Sequence, residues 1–207
     1  MKRNLMILLS VLFVLSFSTM QVFAAKKNTK KPVLEKQVKE GEVKMSDKKI
    51  LVAYYSATGT TKEVAEKIAK AAKADIYEIT ALKPYSNTDL NWHDSKSRTT
   101  IEQNDSSIRP EIASKDADVS KYDLIFIGYP IWWGDEPRIL DTFVEKYNFE
   151  GKTLVPFCTS GGSGIGRSGK NLEKNAKSGK WLDGRRLSTG TSEKELSSWI
   201  SKCLSAL

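Results

Sequence analysis

The stretch Ile50–Thr61, ILVAYYSATGTT, sets a strand, a turn and a helix start side by side. Ile50 to Tyr55 is an apolar run with β-branched and aromatic members, which predicts a buried strand. From Lys62 onward, apolar residues fall at positions 64, 65, 68, 69 and 72, a helical period. Between them lie Ser56, Ala57, Thr58, Gly59, Thr60 and Thr61. A turn at a helix N-terminus faces unpaired backbone N–H groups and the positive end of the dipole. With four hydroxyls and a glycine, it reads either as a phosphate cradle without a cationic side chain or as a plain helix cap. No Gly-Lys-Ser/Thr follows, so it is not a Walker A loop.

The charge of the whole chain points elsewhere. Net charge is +8 over 207 residues, but residues 25–49 alone hold nine Lys against four acids. From Ile50 onward there are 22 basic and 21 acidic residues, so the folded part is nearly neutral and no nucleic-acid face is expected. Residues 1–24 combine Lys2 and Arg3, an apolar run from Leu5 to Phe17, and Val22-Phe23-Ala24. That pattern predicts a signal peptide, cleaved after Ala24 or Ala25, and an exported protein; an uncleaved N-terminal anchor is the alternative. Residues 25–48 read as a Lys-rich linker. Weak association of residues 26–49 with a membrane surface or cell wall is an expectation beside that of a plain spacer. The two cysteines, Cys158 and Cys203, read as buried thiols rather than a disulfide framework. No cluster of His, Cys and carboxylates points to a metal.

Further along, 74–80 predicts a shorter strand nearer an edge, and 81–120 is irregular, with a helix over 90–104. That region holds the only histidine, His93, read as a surface or capping residue. Lys121–Gly128 predicts a third strand, followed by Tyr129-Pro130-Ile131-Trp132-Trp133-Gly134. Adjacent residues in extended chain point opposite ways, so both tryptophans do not readily enter one core. At least one is expected to stack on a flat ligand. Asp135-Glu136-Pro137 should open the next helix. Lys152–Cys158 predicts a fourth strand, then the Gly- and Ser-rich run Thr159 to Gly166. Gly164, Gly166 and Gly169 fit G-x-G-x-x-G, but too far past the strand for a dinucleotide fingerprint. A helix through Leu172 and Ala176, a fifth strand over 181–188 and a last helix over 193–204 complete the chain. The alternation implies a parallel sheet wrapped by helices on both faces, with ligands beyond the carboxyl ends of the strands. The loops after strands one, three and four would share that edge.

With these runs in place, the chain resembles the flavodoxins. Tyr55–Thr61 resembles their phosphate loop; Gly128–Gly134 and Phe157–Gly164 resemble their flavin-ring loops. It is similar to short bacterial flavodoxin-like proteins in which these runs accompany Arg109-Pro110-Glu111-Ile112. The resemblance covers residues 49–207. It implies a flavodoxin-like three-layer sandwich, a five-stranded parallel sheet in the order 2-1-3-4-5, and FMN at its carboxyl edge. Ser56, Thr58, Gly59, Thr60 and Thr61 would hold the phosphate. Pro130, Ile131, Trp132 and Trp133 would run along the isoalloxazine, and Thr159, Ser160, Gly161, Gly162 and Gly164 would line its other edge. The second ring face would be covered by part of 81–120 or open to a substrate. The implied function is electron transfer through non-covalent FMN. An NAD(P)H- or quinone-dependent FMN oxidoreductase is the alternative, and a non-redox binding module a third. The redox donor and acceptor (protein, NAD(P)H or quinone) are not specified. The family's electron carriers are strongly acidic and cytoplasmic, and this near-neutral, exported chain departs from them on both counts.

Overall fold

The computed structural model describes residues 48–207. The expected signal peptide and all of the linker except Lys48 lie outside the described residues. The elements are β1 (Ile50–Tyr54), α1 (Thr60–Ala72), β2 (Asp75–Glu78), α2 (Arg98–Asn104), a 3₁₀ turn (Val119–Lys121), β3 (Leu124–Pro130), α3 (Arg138–Lys146), β4 (Thr153–Thr159), α4 (Ser168–Ala176), β5 (Lys180–Trp181), β6 (Arg185–Arg186) and α5 (Glu193–Leu204). The strands pair in parallel in the order β2-β1-β3-β4-β5, with β6 also on β4.

Parallel strands flanked by helices are apolar on both faces, and the alternation of side chains sorts them into two cores. Leu51, Ala53, Ile125, Ile127, Leu154 and Cys158 join Leu140, Phe143 and Leu172 on the face of α3 and α4. Val52, Tyr54, Phe126, Val155 and Phe157 join Val64, Ile68, Leu196 and Trp199 on the face of α1 and α5. Both cysteines are buried and free. Burial pushes the Cys158 thiol up to about 12 and the Cys203 thiol to about 11, so neither offers a thiolate at neutral pH.

The fifth strand departs from expectation. Instead of one run over 181–188, two-residue pieces pair with β4 in registers one residue apart: Leu154 opposite Trp181, then Phe157 opposite Arg185. Lys180 N–H reaches Lys152 O and Leu182 N–H reaches Leu154 O, so the even positions of β4 turn toward this strand. The next even position is Pro156, which has no N–H to give. The ladder breaks there, and Gly184 passes Pro156 so closely that a Cβ would stand 2.4 Å from its carbonyl oxygen. The helix expected over 90–104 begins only at Arg98. Before it, Asn91 and Asp94 side chains accept the N–H groups of His93 and Lys96, a local alternative to the helical ladder. The other strand and helix ends fall within a few residues of expectation.

Gly128, like Gly184, is required by packing rather than by its backbone angle. Gly128 lies opposite Phe157 in the β3–β4 register, and a Cβ there would meet the Phe157 ring at 2.1 Å. Gly128→Ala is expected to lower unfolding free energy by about 1–3 kcal/mol through overpacking, read as a lower urea midpoint at unchanged m-value.

Candidate functional site

The three loops converge at the carboxyl ends of β1, β3 and β4. Ser56 Oγ accepts Gly59 N–H at 3.1 Å and closes the first loop. Gly59, at φ 92°, caps α1 with no side-chain hydrogen bond. The N–H groups of Thr60, Thr61 and Lys62 therefore have no intrahelical acceptor. A Cβ added to Gly59 would have nothing within 4 Å, so the space in front of the turn is open. Thr58 and Thr60 are exposed, whereas Thr61 is buried and its hydroxyl is hydrogen-bonded to that of Thr159 at 2.8 Å. Thr61 and Thr159 thus tie the first loop to the third. Lys62 turns away to Glu78, leaving the turn without a cation of its own.

The second loop answers which tryptophan faces out. Trp132 and Asp135 exchange both backbone hydrogen bonds at 2.9 Å, with Trp133 (φ 50°) and Gly134 (φ 81°) between them. Two successive positive φ angles make a hairpin turn of the I′ kind. The other non-glycine residues at positive φ, Lys73 and Lys177, are helix C-caps, where that conformation is ordinary. Trp133 has no such reason. A bulky residue held there costs about 1–3 kcal/mol, and such strain gathers at binding sites. Trp132 turns inward, edge-on to Tyr55 at 5.7 Å and to Tyr85 at 5.3 Å. Trp133 stays 43% exposed. Asp135 and Glu136 belong to this turn and its buried sequel, not to the first turn of α3, which begins at Arg138 after Pro137. The paired Trp132–Asp135 backbone holds Asp135 out of the helix.

Trp132 and Trp133 line a cleft of about 330 Å³ together with Ala57, Thr58, Leu90, Trp92, Thr99, Pro130 and Ile131. The structure thus brings Thr58, Pro130, Ile131, Trp132 and Trp133 into one concave surface. Thr159 joins through Thr61, and Ile131 N–H bonds Thr159 O at 2.9 Å. Ser160, Gly161, Gly162 and Gly164 lie at the same edge but do not line this cleft, and the three glycines have open space in front of them. Sequence reasoning passed over Trp92 in favour of its neighbour His93. Trp92 is 67% exposed, and the His93 ring lies 3.4 Å from it. The signal was present: a tryptophan between polar residues in an irregular segment has no helical or strand period to bury it. Ala57 carries no polar group and gave no signal.

Beneath the cleft, Tyr85 donates to Glu102 Oε2 at 2.7 Å, and Arg98 Nε donates to Glu102 Oε1 at 2.7 Å. The Arg98 guanidinium also lies 3.8 Å from the Tyr85 ring centre. Burial, then the Glu102 carboxylate, hold the Tyr85 hydroxyl well above the ordinary tyrosine range, so it remains a donor. On the far end of the turn, the Asp135 carboxylate accepts from Asn171 Nδ2 at 2.7 Å and Arg167 Nε at 3.2 Å. Glu136 is fully buried. Burial first, then the nearby Asp135 and Asp141 carboxylates, raise it to about 10.

A doubly wound parallel sheet with a hydroxyl-lined helix start and an aromatic cleft at its carboxyl edge defines an α/β ligand-binding protein of the switch-point type. The family model of the flavodoxins matches residues 49–203, and the chain belongs to that family. A candidate flavoprotein of Bacteroides eggerthii is 47% identical over 76% of this chain and 98% of its own, with a TM-score of 0.72. Another, from Bacteroides uniformis, is 45% identical over 74% and 98%, with a TM-score of 0.70. A Lactobacillus acidophilus flavoprotein, solved in complex with FMN, is 26% identical over 74% and 99%, with a TM-score of 0.55. No match is found among curated proteins.

Two outcomes follow from this geometry. Asp135→Ala takes the carboxylate acceptor from Asn171 and Arg167 beside the strained turn; the expected loss is about 1–3 kcal/mol, read from the urea midpoint. Glu136 keeps its proton when folded and loses it near the ordinary carboxylate value when unfolded. Its contribution is therefore complete below about pH 4.5 and is lost as pH rises toward about 10. Glu136→Gln, which keeps the shape without the ionisation, is expected to flatten the fall in thermal stability between those limits. An unchanged slope would contradict this assignment.

Proposed function

We propose that this protein is an FMN-binding electron carrier that holds the flavin non-covalently at the carboxyl edge of its sheet. One observation carries the reading. The cleft beside the open start of α1 is walled by tryptophan and aliphatic side chains and, among the described residues, lined by no ionisable one. Such a surface can bind and orient a flat redox group, but it offers no side chain for acid–base work.

The donor set suits FMN. Thr58, Thr60 and the unpaired N–H groups at the start of α1 would hold the phosphate, with Gly59 allowing close approach. Trp133 and Trp92 would flank the ring system, while Pro130 and Ile131 lie along it. Trp132, braced by Tyr55 and Tyr85, forms a rigid floor. Bound flavin supplies the exchange of one or two electrons. The protein's part is to exclude water and to set the local potential. With no cation at the phosphate and apolar walls at the ring, added negative charge is poorly stabilised, which favours a low reduction potential. The exported location expected from residues 1–24 belongs to the same proposal, as does a donor and acceptor outside the acidic-carrier pattern.

The test is a visible-absorption titration of the full chain with FMN, followed by gradual reduction. Saturable binding and two resolvable one-electron stages are the expected result. Direct two-electron bleaching by NAD(P)H would replace the carrier with an oxidoreductase, and absence of binding would leave only the fold. Gly59→Asp places a carboxylate at the phosphate and should weaken FMN at least about tenfold. Gly59→Asn, without the charge, should weaken it less.

A further inference from the structure

A second pocket, of about 400 Å³, lies between the start of α3 and the face of α4. The Trp132–Asp135 turn contributes Asp135 to it, and the cleft described above shares none of its lining residues. Its charged lining includes Arg109, Arg138, Arg167 and Lys174. These four cations are not equally occupied. Arg109 is fully engaged: it grips Glu145 through two bonds of 2.9 and 2.8 Å and donates to the carbonyls of Ser106 and Ile108. It serves as a staple, which gives the arginine of the Arg-Pro-Glu-Ile run a structural role. Arg138 is nearly buried, yet its contacts with Glu102 O, Gln103 O, Asp141 and Glu136 are long, at 3.2 to 3.5 Å. Arg167 has one partner, Asp135, and its side chain is 80% exposed. Lys174 enters no ion pair among the described residues.

The acids do not balance them. Glu136 lines the pocket and holds its proton, so it brings no charge at neutral pH. Its Oε1 is buried without a hydrogen-bond partner. Among the residues that line the pocket, Asp135 is the one charged carboxylate set against these four cations; Asp141 and Glu145 hold Arg138 and Arg109 from outside the lining, and Asp105 lies near Arg138. A pocket that gathers Arg138, the exposed Arg167 and Lys174, unpaired among the described residues, around a single charged carboxylate favours an anion. Donors arrive from separate directions: the guanidiniums of Arg138 and Arg167 and the ammonium of Lys174. Such spread donors suit the several oxygens of a tetrahedral group better than the planar fork of one carboxylate.

We propose that this pocket binds a tetrahedral oxyanion of the phosphate class, held by Arg138, Arg167 and Lys174 above Glu136. The volume leaves room for an organic group beyond the phosphoryl oxygens, so free phosphate and a small phosphomonoester share the required chemistry. The site does not depend on the flavin reading, because it shares no residue with the Ser56–Thr61 loop.

Calorimetric titration of the full chain in excess FMN, which occupies the Ser56–Thr61 loop on the proposed reading, with inorganic phosphate and in parallel with glycerol 3-phosphate, tests it. The expected result is saturable binding that the double variant Arg167→Ala/Lys174→Ala loosens at least tenfold and that Gly59→Asp leaves unchanged. Lys174→Glu alone, on an exposed side chain, should also loosen it. Tighter binding of glycerol 3-phosphate would assign the pocket to a monoester, and equal affinity to free phosphate; both support the site. Absence of binding, or binding altered by Gly59→Asp and not by the pocket variants, would overturn it.

Discussion

Parallel pairing of β1, β3 and β4 is the constraint on which the rest of the molecule depends. Each strand is buried on both faces, so each must be followed by a helix that crosses back over the sheet. That requirement delivers the ends of all three strands, and the loops that follow them, to one edge. The registers are tight enough to need a missing side chain: Phe157 fills the space that Gly128 leaves. The Thr61–Thr159 hydrogen bond and the Ile131–Thr159 backbone bond then bind the loops to one another. The ligand edge is thus a continuation of the sheet's own hydrogen bonding, which makes it rigid before any ligand arrives.

On that edge the molecule accepts local costs. Trp133 adopts a backbone conformation that a tryptophan disfavours, and Asp135 holds the turn with backbone bonds on one side and Asn171 and Arg167 on the other. Glu136 is buried beside two other acids and stays protonated. Each is unfavourable in isolation. Together they present one tryptophan to solvent over an apolar cleft while its neighbour packs against two tyrosines. Within two residues the chain thus divides a packed tryptophan, Trp132, from an exposed one, Trp133.

A contrast in electrostatics runs between the two pockets. The aromatic cleft has no titratable lining, and the loop beside it uses hydroxyls and bare N–H groups. The polar pocket gathers guanidiniums and carboxylates a few residues away. Keeping full charges out of the cleft preserves a low dielectric there, whereas the same charges stabilise the turn from outside.

The order of strands and helices, the family and most residues of the aromatic cleft were legible in the sequence. The elements and cleft residues rest on local signals (apolar period, strand-turn-helix order, and paired tryptophans after a buried strand), and the family on the resemblance of the Tyr55–Thr61, Gly128–Gly134 and Phe157–Gly164 runs to the flavodoxins. Where the sequence misled, a partner distant in the chain or a competing side chain decided. The fifth strand breaks because Pro156, on the neighbouring strand, lacks a donor. The helix over 90–104 shortens because Asn91 and Asp94 bind the backbone first. Which tryptophan is exposed, the place of Trp92 over the cleft, and the protonated Glu136 were settled only by tertiary structure. Exposure, stacking and burial of charge are properties of residues brought together from separate elements, and no single stretch of chain contains them.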